Sequence, residues 1–457
     1  MQNNTTPSRP ATRREFLKRT TFASAAMAAA PLLKTPVYGQ SQAPSANVTG
    51  ANSRLTVGYI GVGGQGLNAH VRIMKENATA NNIAQVAVCD VWQKRVDKAK
   101  EVIGGDCKGY TDYRQLLEQK DIDAVVISTH DPIHAAASIA ALNAGKHVYC
   151  EKPLTRYLDE AFAVREVVEK TGKILQVGSQ GCSAAGWHKA AELIKDDRIG
   201  KPVWAQGYYC RNNAKGEWNY AIDADINANP PDWDAWLGPV KKRIPFSAEH
   251  YFRWRKFYPY CAGLLGDLVP HRLFPLMLAT GNPEFPKRVA CIGTKSVFPD
   301  KKTDGALERD VPEHTEIIAE FPSGMTMVIV TSTIASRSPG FVIYGHHASL
   351  EIGTSGERIS LMPEKEFGDE VDPDSFEGLQ PVEDIGVHHA NWFDSIRANK
   401  QPNANIDLAT KVQAVISLAE MSDRLGIACH FDEKTRKITS GDGKQQPTLT
   451  YGTLELS

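Results

Sequence analysis

The feature of this sequence that most constrains its fold is a glycine-rich loop between two β-rich runs. The apolar run Leu55–Ile60 leads directly into the loop, Gly61–Gly66, and a helix-compatible stretch covers residues 67–77. A second β-rich run, Ile83–Cys89, ends at Asp90. A glycine loop alone is weak evidence, but this order of strand, loop, helix, strand and terminal acid is typical of a dinucleotide-binding unit.

The residues of the loop have separate physical roles. Gly61 permits the tight turn after the strand, Gly63 lets the backbone approach a pyrophosphate, and Gly66 lets the helix pack close to the strand. Gly64 and Gln65 complete the loop at the start of the helix, where free N–H groups favour a diphosphate. These five residues are therefore predicted to bind the cofactor.

Asp90 indicates which cofactor this is. It follows Gly66 by 24 residues, and a carboxylate there accepts hydrogen bonds from both ribose hydroxyls. Because its charge repels a 2′-phosphate, the sequence favours NAD over NADP. Lys94 and Arg95, just beyond, are placed where they could relax that preference. The predicted cofactor is NAD or NADP, with NAD favoured.

The alternation of strand and helix continues through residue 177. Further β-rich runs cover residues 123–128, 146–150 and 174–177, and helix-compatible segments cover residues 113–119, 134–144 and 158–171. This pattern predicts an α/β fold with a doubly wound sheet of about six parallel strands. Ligands of such sheets bind at the C-terminal strand ends, which is where Glu151 and Lys152 stand.

Longer strings carry a resemblance to a known family. They are Ala144–Pro153, Gln176–Gln180, Asp232–Pro239 and Gly263–His271, in addition to the glycine loop. Together they resemble the glucose-fructose oxidoreductase and inositol dehydrogenase family (Gfo/Idh/MocA). The resemblance implies an N-terminal Rossmann domain and a C-terminal α+β domain with an open, mostly antiparallel sheet. In the family that sheet supports oligomer contacts, so a homo-oligomer is expected.

The second half of the chain agrees with this layout. Its strand-like runs are Val203–Tyr209, Lys287–Thr294, Thr315–Phe321, Met325–Thr333, Phe341–Tyr344 and Ser349–Ile352, and a late amphipathic helix covers Ile406–Leu425. We assign residues 54–180 to an NAD(P)-binding Rossmann domain, residues 181–430 to a substrate and oligomerisation domain, and residues 431–457 to a C-terminal tail.

The resemblance also implies catalytic residues. Lys152 would lie between the nicotinamide and the substrate, and His271 would take the proton from a substrate hydroxyl as hydride leaves the carbon. Asp267 would orient that base or bind a sugar. Imidazole suits the task because it titrates near neutral pH. The further cofactor contacts that the resemblance implies are Thr129, His134 and Glu151.

Asp267 and His271 have two other interpretations. They stand four residues apart in a helix-compatible segment, so both are expected on one helix face, with Pro270 kinking or starting the helix. Alone they would be read as a structural ion pair. They could also ligate a metal, but catalytic zinc needs three protein ligands and no third is marked by spacing, so no metal is predicted. The sequence departs from the family pattern at Val269 and Phe274, which leaves the usual polyol contacts open.

Other polar side chains fit less specific roles. The adjacent pairs His346-His347 and His388-His389 are expected on loops or at the surface, although residues 388–393 could also pack near the cleft. Arg253, Arg255 and Lys256 either contact a polar substrate or are solvated.

The N-terminus carries a basic leader. Thr12-Arg13-Arg14-Glu15-Phe16-Leu17-Lys18 precedes an Ala-rich apolar run at residues 21–33. This is typical of a secretory signal, and the paired arginines resemble the twin-arginine export signal. We expect a signal over residues 1–39, a linker over residues 40–53, the export machinery as a partner, and a periplasmic or otherwise exported protein. An amphipathic helix that stays attached is the alternative.

Composition excludes several classes of protein. With 52 Lys and Arg against 53 Asp and Glu, the chain has no basic excess for nucleic acid. No apolar run approaches the length of a membrane span. A length of 457 residues favours two or three domains.

These features predict an exported NAD(P)-dependent oxidoreductase. Its expected substrate is a secondary alcohol of a sugar, cyclitol or glycoside, and its cofactor is expected to stay tightly bound, because free nicotinamide cofactor is scarce outside the cytoplasm. Two alternatives stay open. One is an NAD-dependent glycosidase or lyase that works through a transient keto-sugar, and the other is a non-catalytic sugar-binding protein of the same fold.

Overall fold

The computed structural model of the chain describes residues 53–454. The predicted export signal and nearly all of the predicted linker therefore lie outside the described residues. Among the described residues, no helix combines the length and the apolar character that crossing a membrane requires.

The first half of the described chain builds a six-stranded parallel sheet. Its strands are β1 (Leu55–Ile60), β2 (Ile83–Cys89), β3 (Lys108–Tyr110), β4 (Ala124–Ile127), β5 (His147–Glu151) and β6 (Leu175–Gly178). Their order is β3-β2-β1-β4-β5-β6. Strands β2 and β3 are therefore added on one side of β1 and strands β4 to β6 on the other, so the strand order reverses between β1 and β4. β4 is buried along its whole length, as expected for a strand covered on both faces. The predicted doubly wound fold is confirmed.

Helices connect these strands and cover the sheet. They are α1, which is π-helical over Gly66–Arg72 and α-helical over Ile73–Glu76, α2 (Gln93–Ile103), α3 (Tyr113–Leu117), α4 (Asp131–Asn143) and α5 (Leu158–Thr171). α1 begins at the glycine loop, between β1 and β2, and α2 follows the acid that ends β2. The turns at the C-terminal strand ends thus all face one edge of the sheet.

The second half builds a mixed sheet of eleven strands. They are β7 (Pro202–Cys210), β8 (Arg288–Thr294), β9 (His314–Glu320), β10 (Thr326–Ser332), β11 (Phe341–Gly345), β12 (Ala348–Ile352), β13 (Ile359–Pro363), β14 (Asp374–Phe376), β15 (Cys429–Asp432), β16 (Lys437–Ser440) and β17 (Gln445–Gln446). Their order is β14-β13-β12-β11-β7-β10-β9-β8-β15-β16-β17. The neighbours pair antiparallel except β7 and β10, which run parallel. The predicted mostly antiparallel sheet is confirmed.

Among its described residues, the second half also contains seven α-helices. They are α6 (Ala185–Lys195), α7 (Trp233–Leu237), α8 (Ala248–Phe252), α9 (Leu264–Asp267), α10 (Val269–Ala279), α11 (Ile385–Ala398) and α12 (Ile406–Leu425). Short 3₁₀ turns cover Gln180–Ser183, Trp254–Lys256, Pro299–Lys302 and Lys365–Phe367.

The helix α12 ties the two halves together. The Asn405 side chain accepts a hydrogen bond from the Leu408 N–H at its start, and Gly426 closes it with a φ of +66°. Between these caps the helix is largely buried, and it packs against α5, α10 and β8. A helix buried on most of its circumference belongs to a shared core, which fixes the second sheet relative to the first.

Candidate active site

A cavity of about 1220 Å³ lies along the C-terminal edge of the first sheet. This is larger than the roughly 300–1,000 Å³ of an ordinary small-ligand pocket, which leaves room for a dinucleotide and a small substrate. The predicted site residues in its wall are Gly61, Gly63, Gly64, Gln65, Asp90, Thr129, Glu151, Lys152, Asp267 and His271. The other two predicted residues, Gly66 and His134, are not in the wall.

The glycine loop has the close packing that its chemistry requires. Gly61 has a φ of +84°, and a side chain there would meet the Ser128 carbonyl carbon at 2.8 Å. A Cβ on Gly66 would overlap the Gly61 carbonyl oxygen, so Gly66 serves the packing of α1 on β1 and not the cavity wall. At Gly64 a Cβ would meet nothing within 4 Å. The loop is therefore tight toward the sheet and open toward the cavity, as a phosphate site needs.

Asp90 joins the loop to the second strand. Its Oδ2 accepts a hydrogen bond from the Val62 N–H at 2.9 Å, and its Oδ1 accepts one from the Trp92 N–H at 3.0 Å. Burial raises the pKa of Asp90, and the nearby charge of Arg95 opposes that rise. Each carboxylate oxygen keeps a further lone pair, so the side chain can still accept from ribose hydroxyls. The residues present fit a nicotinamide dinucleotide.

His134 and Thr129 have unequal roles. Thr129 lines the cavity, whereas His134 is buried beneath it. The His134 Nδ1 lies 2.8 Å from the Pro153 carbonyl oxygen, and its Nε2 lies 3.2 Å from the Thr129 carbonyl oxygen. The ring thus bridges the turns after β4 and β5, so His134 supports the cavity wall without facing it.

Lys152 and Asp267 form the centre of the site. The Lys152 Nζ donates hydrogen bonds to the Asp267 Oδ1 at 2.6 Å and to its carbonyl oxygen at 2.9 Å. Arg255 Nε donates to the same Oδ1 at 2.8 Å, and Trp218 Nε1 donates to Oδ2 at 2.8 Å. Burial would raise the pKa of Asp267, but the charges of Arg255 and Lys152 outweigh it and hold that pKa well below its ordinary value. The carboxylate is therefore ionised and anchors Lys152.

His271 stands beside this cluster without being hydrogen-bonded to Asp267. α9 ends at Asp267 and α10 begins at Val269, so the pair lies on two short helices rather than on one helix face. Burial lowers the pKa of His271 to about 3, and the charge of Lys152 acts in the same direction. The imidazole is neutral at neutral pH and has a ring nitrogen that can accept a proton.

Glu151 belongs to a buried chain that the sequence did not reveal. Its Oε1 lies 2.9 Å from His70 Nε2, and His70 Nδ1 lies 3.0 Å from His389 Nε2. Gln65 Nε2 donates to the same Glu151 oxygen at 3.3 Å. Burial would raise the pKa of Glu151, but the hydrogen bond and charge of His70 bring it to about 2. Glu151 is thus held ionised at the cavity.

The expectation for the second histidine pair is wrong. His388 and His389 are buried on α11, and not on a loop or at the surface. The His388 ring bridges the Ser183 hydroxyl and the Val177 carbonyl oxygen, at 2.7 Å and 2.8 Å. Adjacent residues on a buried helix can face two different elements. Here His388 faces the 3₁₀ turn after β6, and His389 faces α1. Among the described residues, no group of three or more His, Cys, Asp or Glu is placed to hold a metal.

A further carboxylate, Asp131, lies in the wall of the same cavity. Its side chain is buried, and its Oδ2 has no hydrogen-bond partner among the described residues. Burial raises the pKa of Asp131 to about 7, even though Arg255, Arg156 and Lys152 oppose the rise. The cavity wall thus holds Asp267 and Glu151 as ionised acids and Asp131 as an acid that titrates near neutral pH, which is how acid and base roles are separated in active sites.

We expect stability to fall as Asp131 ionises. Its pKa rises on folding, so the folded state binds more protons between about pH 4 and pH 7 and loses stability across that window as pH rises. Asp131→Asn removes this titration, so the wild type should lose up to about 4 kcal/mol relative to the variant between pH 4 and pH 8. Urea unfolding at several pH values measures it. Parallel pH dependences of the two proteins would contradict the assignment.

Comparisons with known proteins agree with the geometry at the dinucleotide end. Residues 55–179 match the family model GFO_IDH_MocA, described as an oxidoreductase family with an NAD-binding Rossmann fold. Inositol 2-dehydrogenase of Salmonella typhimurium is 33% identical over 154 residues, which are 34% of this chain and 45% of that protein. Inositol 2-dehydrogenase/D-chiro-inositol 3-dehydrogenase of Lactiplantibacillus plantarum is 32% identical over 148 residues, 32% of this chain and 41% of that one. The chain thus spans less than half the length of these curated relatives.

Solved structures resemble nearly the whole described chain. Levoglucosan dehydrogenase in complex with NADH and levoglucosan has a TM-score of 0.63 and 19% identity, covering 82% of this chain and 98% of its own. An oxidoreductase domain protein from Kribbella flavida has a TM-score of 0.65 and 21% identity, covering 83% and 100%. At these identities the likeness shows the fold, with both sheets in place.

Proposed function

We propose that this chain is an NAD-dependent oxidoreductase of the Gfo/Idh/MocA family that acts on a secondary alcohol of a sugar, cyclitol or glycoside. The observation that carries the proposal is one cavity that holds a dinucleotide loop, an anchored lysine and a neutral histidine together. The relatives support the substrate class, since their names include inositol and levoglucosan dehydrogenases.

The chain's own residues perform binding, orientation and proton transfer. The nicotinamide, when bound, supplies the acceptor for the hydride that leaves the alcohol carbon. The glycine loop and Asp90 hold the dinucleotide. Lys152, fixed by Asp267, donates to the substrate oxygen and stabilises the developing alkoxide. A ring nitrogen of His271 takes the hydroxyl proton. The alcohol then loses one hydride and one proton in total and becomes a neutral carbonyl.

Export and cofactor retention extend this proposal. The arginine pair of the leader supports a twin-arginine route to the periplasm, with the folded protein carrying its cofactor. A segment of the second half that spans residues 223–252 lies over the Asp90 end of the cavity. There Lys94 Nζ pairs with Asp223 and Asp225 at 2.9 Å and 2.8 Å, and Trp92 Nε1 donates to the Asn229 carbonyl oxygen at 2.7 Å. A covered adenosine end favours slow release of the cofactor.

A homo-oligomer also belongs to the proposal. The second sheet exposes Ile292, Ile318 and Met362 by 70%, 55% and 52% of their surfaces. Large apolar side chains on one sheet mark a surface that a partner can cover. A second copy of the chain fits the layout that the family resemblance implies.

Redox-assisted glycoside cleavage is the second candidate, and Asp131 is the observation that favours it. A carboxylic acid with a pKa of about 7 in the cavity wall can donate a proton to a leaving group at neutral pH. Simple alcohol oxidation needs a base but no such acid. A substrate that releases a free alcohol without net reduction of cofactor would distinguish this reaction from dehydrogenation.

The test uses the full-length protein purified from the exported fraction of a host with a twin-arginine system. We expect bound nicotinamide in the protein as isolated, and cofactor reduction with members of a panel of sugars, cyclitols and glycosides. His271→Gln should lower kcat by about 100-fold or more while nucleotide binding is retained. Chromatography separates a ketone product from a free aglycone. If the protein binds no dinucleotide, or His271→Gln keeps full turnover, the proposed function fails.

A further inference from the structure

The cavity wall contains an arginine, Arg211, that the proposed reaction does not use. It follows directly after β7, and its side chain, which is 38% exposed, lines the cavity together with His271. Its guanidinium makes one hydrogen bond within the described part of the chain, from Nη1 to Glu217 Oε1 at 2.8 Å. Nε is buried without a hydrogen-bond partner, and Nη2 donates to none of the described residues.

The unused donors of Arg211 lie on one edge of its guanidinium. The Nε–H and the Nη2–H beside it are parallel, so this edge matches the two oxygens of a carboxylate. The hydrogen bond to Glu217 comes from Nη1 and leaves the edge unoccupied. A buried donor without an acceptor is costly. A carboxylate at this edge would supply the acceptor that Nε lacks.

Tyr209 holds this guanidinium close to the proposed catalytic base. The central carbon of the Arg211 guanidinium lies 4.9 Å from the centroid of the Tyr209 ring. The same ring meets the His271 ring edge to face, with the two centroids 5.6 Å apart. A cation–π contact fixes a guanidinium without using its N–H donors. Arg211 is therefore positioned in advance beside the reacting centre, with donors left for a ligand.

Two neighbouring cations of the cavity wall have another task. Lys152 Nζ and Arg255 Nε both donate to Asp267 Oδ1, at 2.6 Å and 2.8 Å, and their charges keep that carboxylate ionised. Arg211 has no hydrogen bond or ion pair to Asp267 among the described residues. Its charge is therefore available to a part of the substrate other than the carbon that is oxidised.

We propose that Arg211 is a specificity-determining residue that binds a carboxylate of the substrate, so that the preferred substrates are sugar acids. Uronic and aldonic acids carry such a group at one end and secondary alcohols along the rest of the molecule. The inference rests on the proposed function and narrows its substrate class. Arg211 takes no part in hydride or proton transfer, so its contribution is to binding and not to the chemical step.

Arg198 supplies the matched control. Its side chain is 39% exposed and pairs with one carboxylate, that of Asp374, at 3.5 Å, but it lies outside the cavity wall. Arg198→Met and Arg211→Met each remove one positive charge and one ion pair. A general effect of lost charge would appear in both variants, whereas a substrate contact belongs to Arg211 alone.

The test compares the uronic acids of glucose, galactose and mannose, each with its neutral amide, on the full-length protein. Calorimetry with NADH bound gives dissociation constants, and oxidation with NAD gives kcat and KM. At least one acid should bind the wild type about 10-fold or more tightly than its amide. Arg211→Met should weaken that acid by about 10-fold to 100-fold, raise its KM with kcat within about threefold, and leave the amide unchanged. Arg211→Lys should recover part of the affinity, and Arg198→Met should match the wild type.

Four results would overturn the assignment of Arg211. They are no preference of the wild type for any acid over its amide, equal losses for acid and amide in Arg211→Met, an equal loss in Arg198→Met, and tighter binding of hexose 6-phosphates than of every uronic acid, which would indicate a phosphate. The proposed function fails separately, since it requires dinucleotide binding and turnover that depends on His271. Thermal unfolding of each variant shows whether the fold is intact before affinities are compared.

Discussion

Lys152→Met is expected to lower kcat by about 100-fold to 1,000-fold with little change in dinucleotide affinity. The methionine keeps the length of the lysine stem but removes the ammonium group that Asp267 fixes in the cavity wall. Asp267 keeps its hydrogen bonds from Arg255 and Trp218, so the carboxylate is not left unpaired. The variant therefore loses stabilisation of the developing alkoxide in the transition state, and this lowers kcat. Steady-state turnover with the best substrate of the panel, together with calorimetry for NAD, measures both quantities.

Lys146 provides a matched control at the other end of the same strand. It precedes β5, is buried with 6% of its surface exposed, and its Nζ donates to the Gln119 carbonyl oxygen at 2.7 Å, away from the cavity. Lys146→Met should cost some stability and leave kcat within about threefold of the wild type. Comparable losses of turnover in both variants would mean that the effect comes from the strand and not from the Lys152 ammonium.

The fold could be predicted where the signal is local. β2 and α12 occur over the residues expected from their apolar patterns, Ile83–Cys89 and Ile406–Leu425. The six strand-like runs of the second half all form strands, with no end shifted by more than one residue. By contrast, β13 to β17 were not predicted. These strands are short, lie toward the two ends of the sheet and are set by pairing with their neighbours, and the last three lie between residues 429 and 446, at the expected C-terminal tail.

The candidate site divides in the same way. The roles of Gly61 and Gly66 follow from backbone geometry that the motif itself encodes, and their contacts agree with it. Arg255 and Trp218 reach Asp267 from 12 and 49 residues away, and neither separation is a repeat of a helix or a strand that could mark the contact. The general signal that was available is the density of aromatic and basic residues between positions 204 and 260.

His70 shows why some site residues escape sequence analysis. It lies in the helix that follows the glycine loop, at a position where a polar side chain is normally solvated. The π-helical turn and the packing of α11 bury it between Glu151 and His389. His70 is 81 positions from Glu151 and 319 positions from His389 in the sequence, so only the assembled fold brings the three residues together.

We expect a large effect on stability from substitution of Arg156, which lies four residues after Lys152 in the sequence. Its Nη1 and Nη2 donate to the two Glu420 carboxylate oxygens at 2.6 Å and 2.8 Å, and both side chains are almost fully buried. Burial would raise the pKa of Glu420, but Arg156 outweighs it and lowers that pKa. Arg156→Met leaves a buried carboxylate with only Arg424, so we expect a loss of about 3–5 kcal/mol in the free energy of unfolding, measured in urea.

A double variant separates the cost of an unpaired charge from the cost of lost packing. Arg156→Met with Glu420→Leu removes both charges and should recover most of the lost stability, because apolar groups of similar size can replace a buried pair. Arg165→Met is the control, since its partners Glu169 and Asp407 are both exposed and such pairs contribute at most about 1 kcal/mol. If the double variant is no more stable than Arg156→Met, the pair acts through its geometry: the bidentate contact itself, together with the Tyr258 carbonyl that Arg156 also binds at 2.8 Å, would then hold α12 against the turn that carries Lys152.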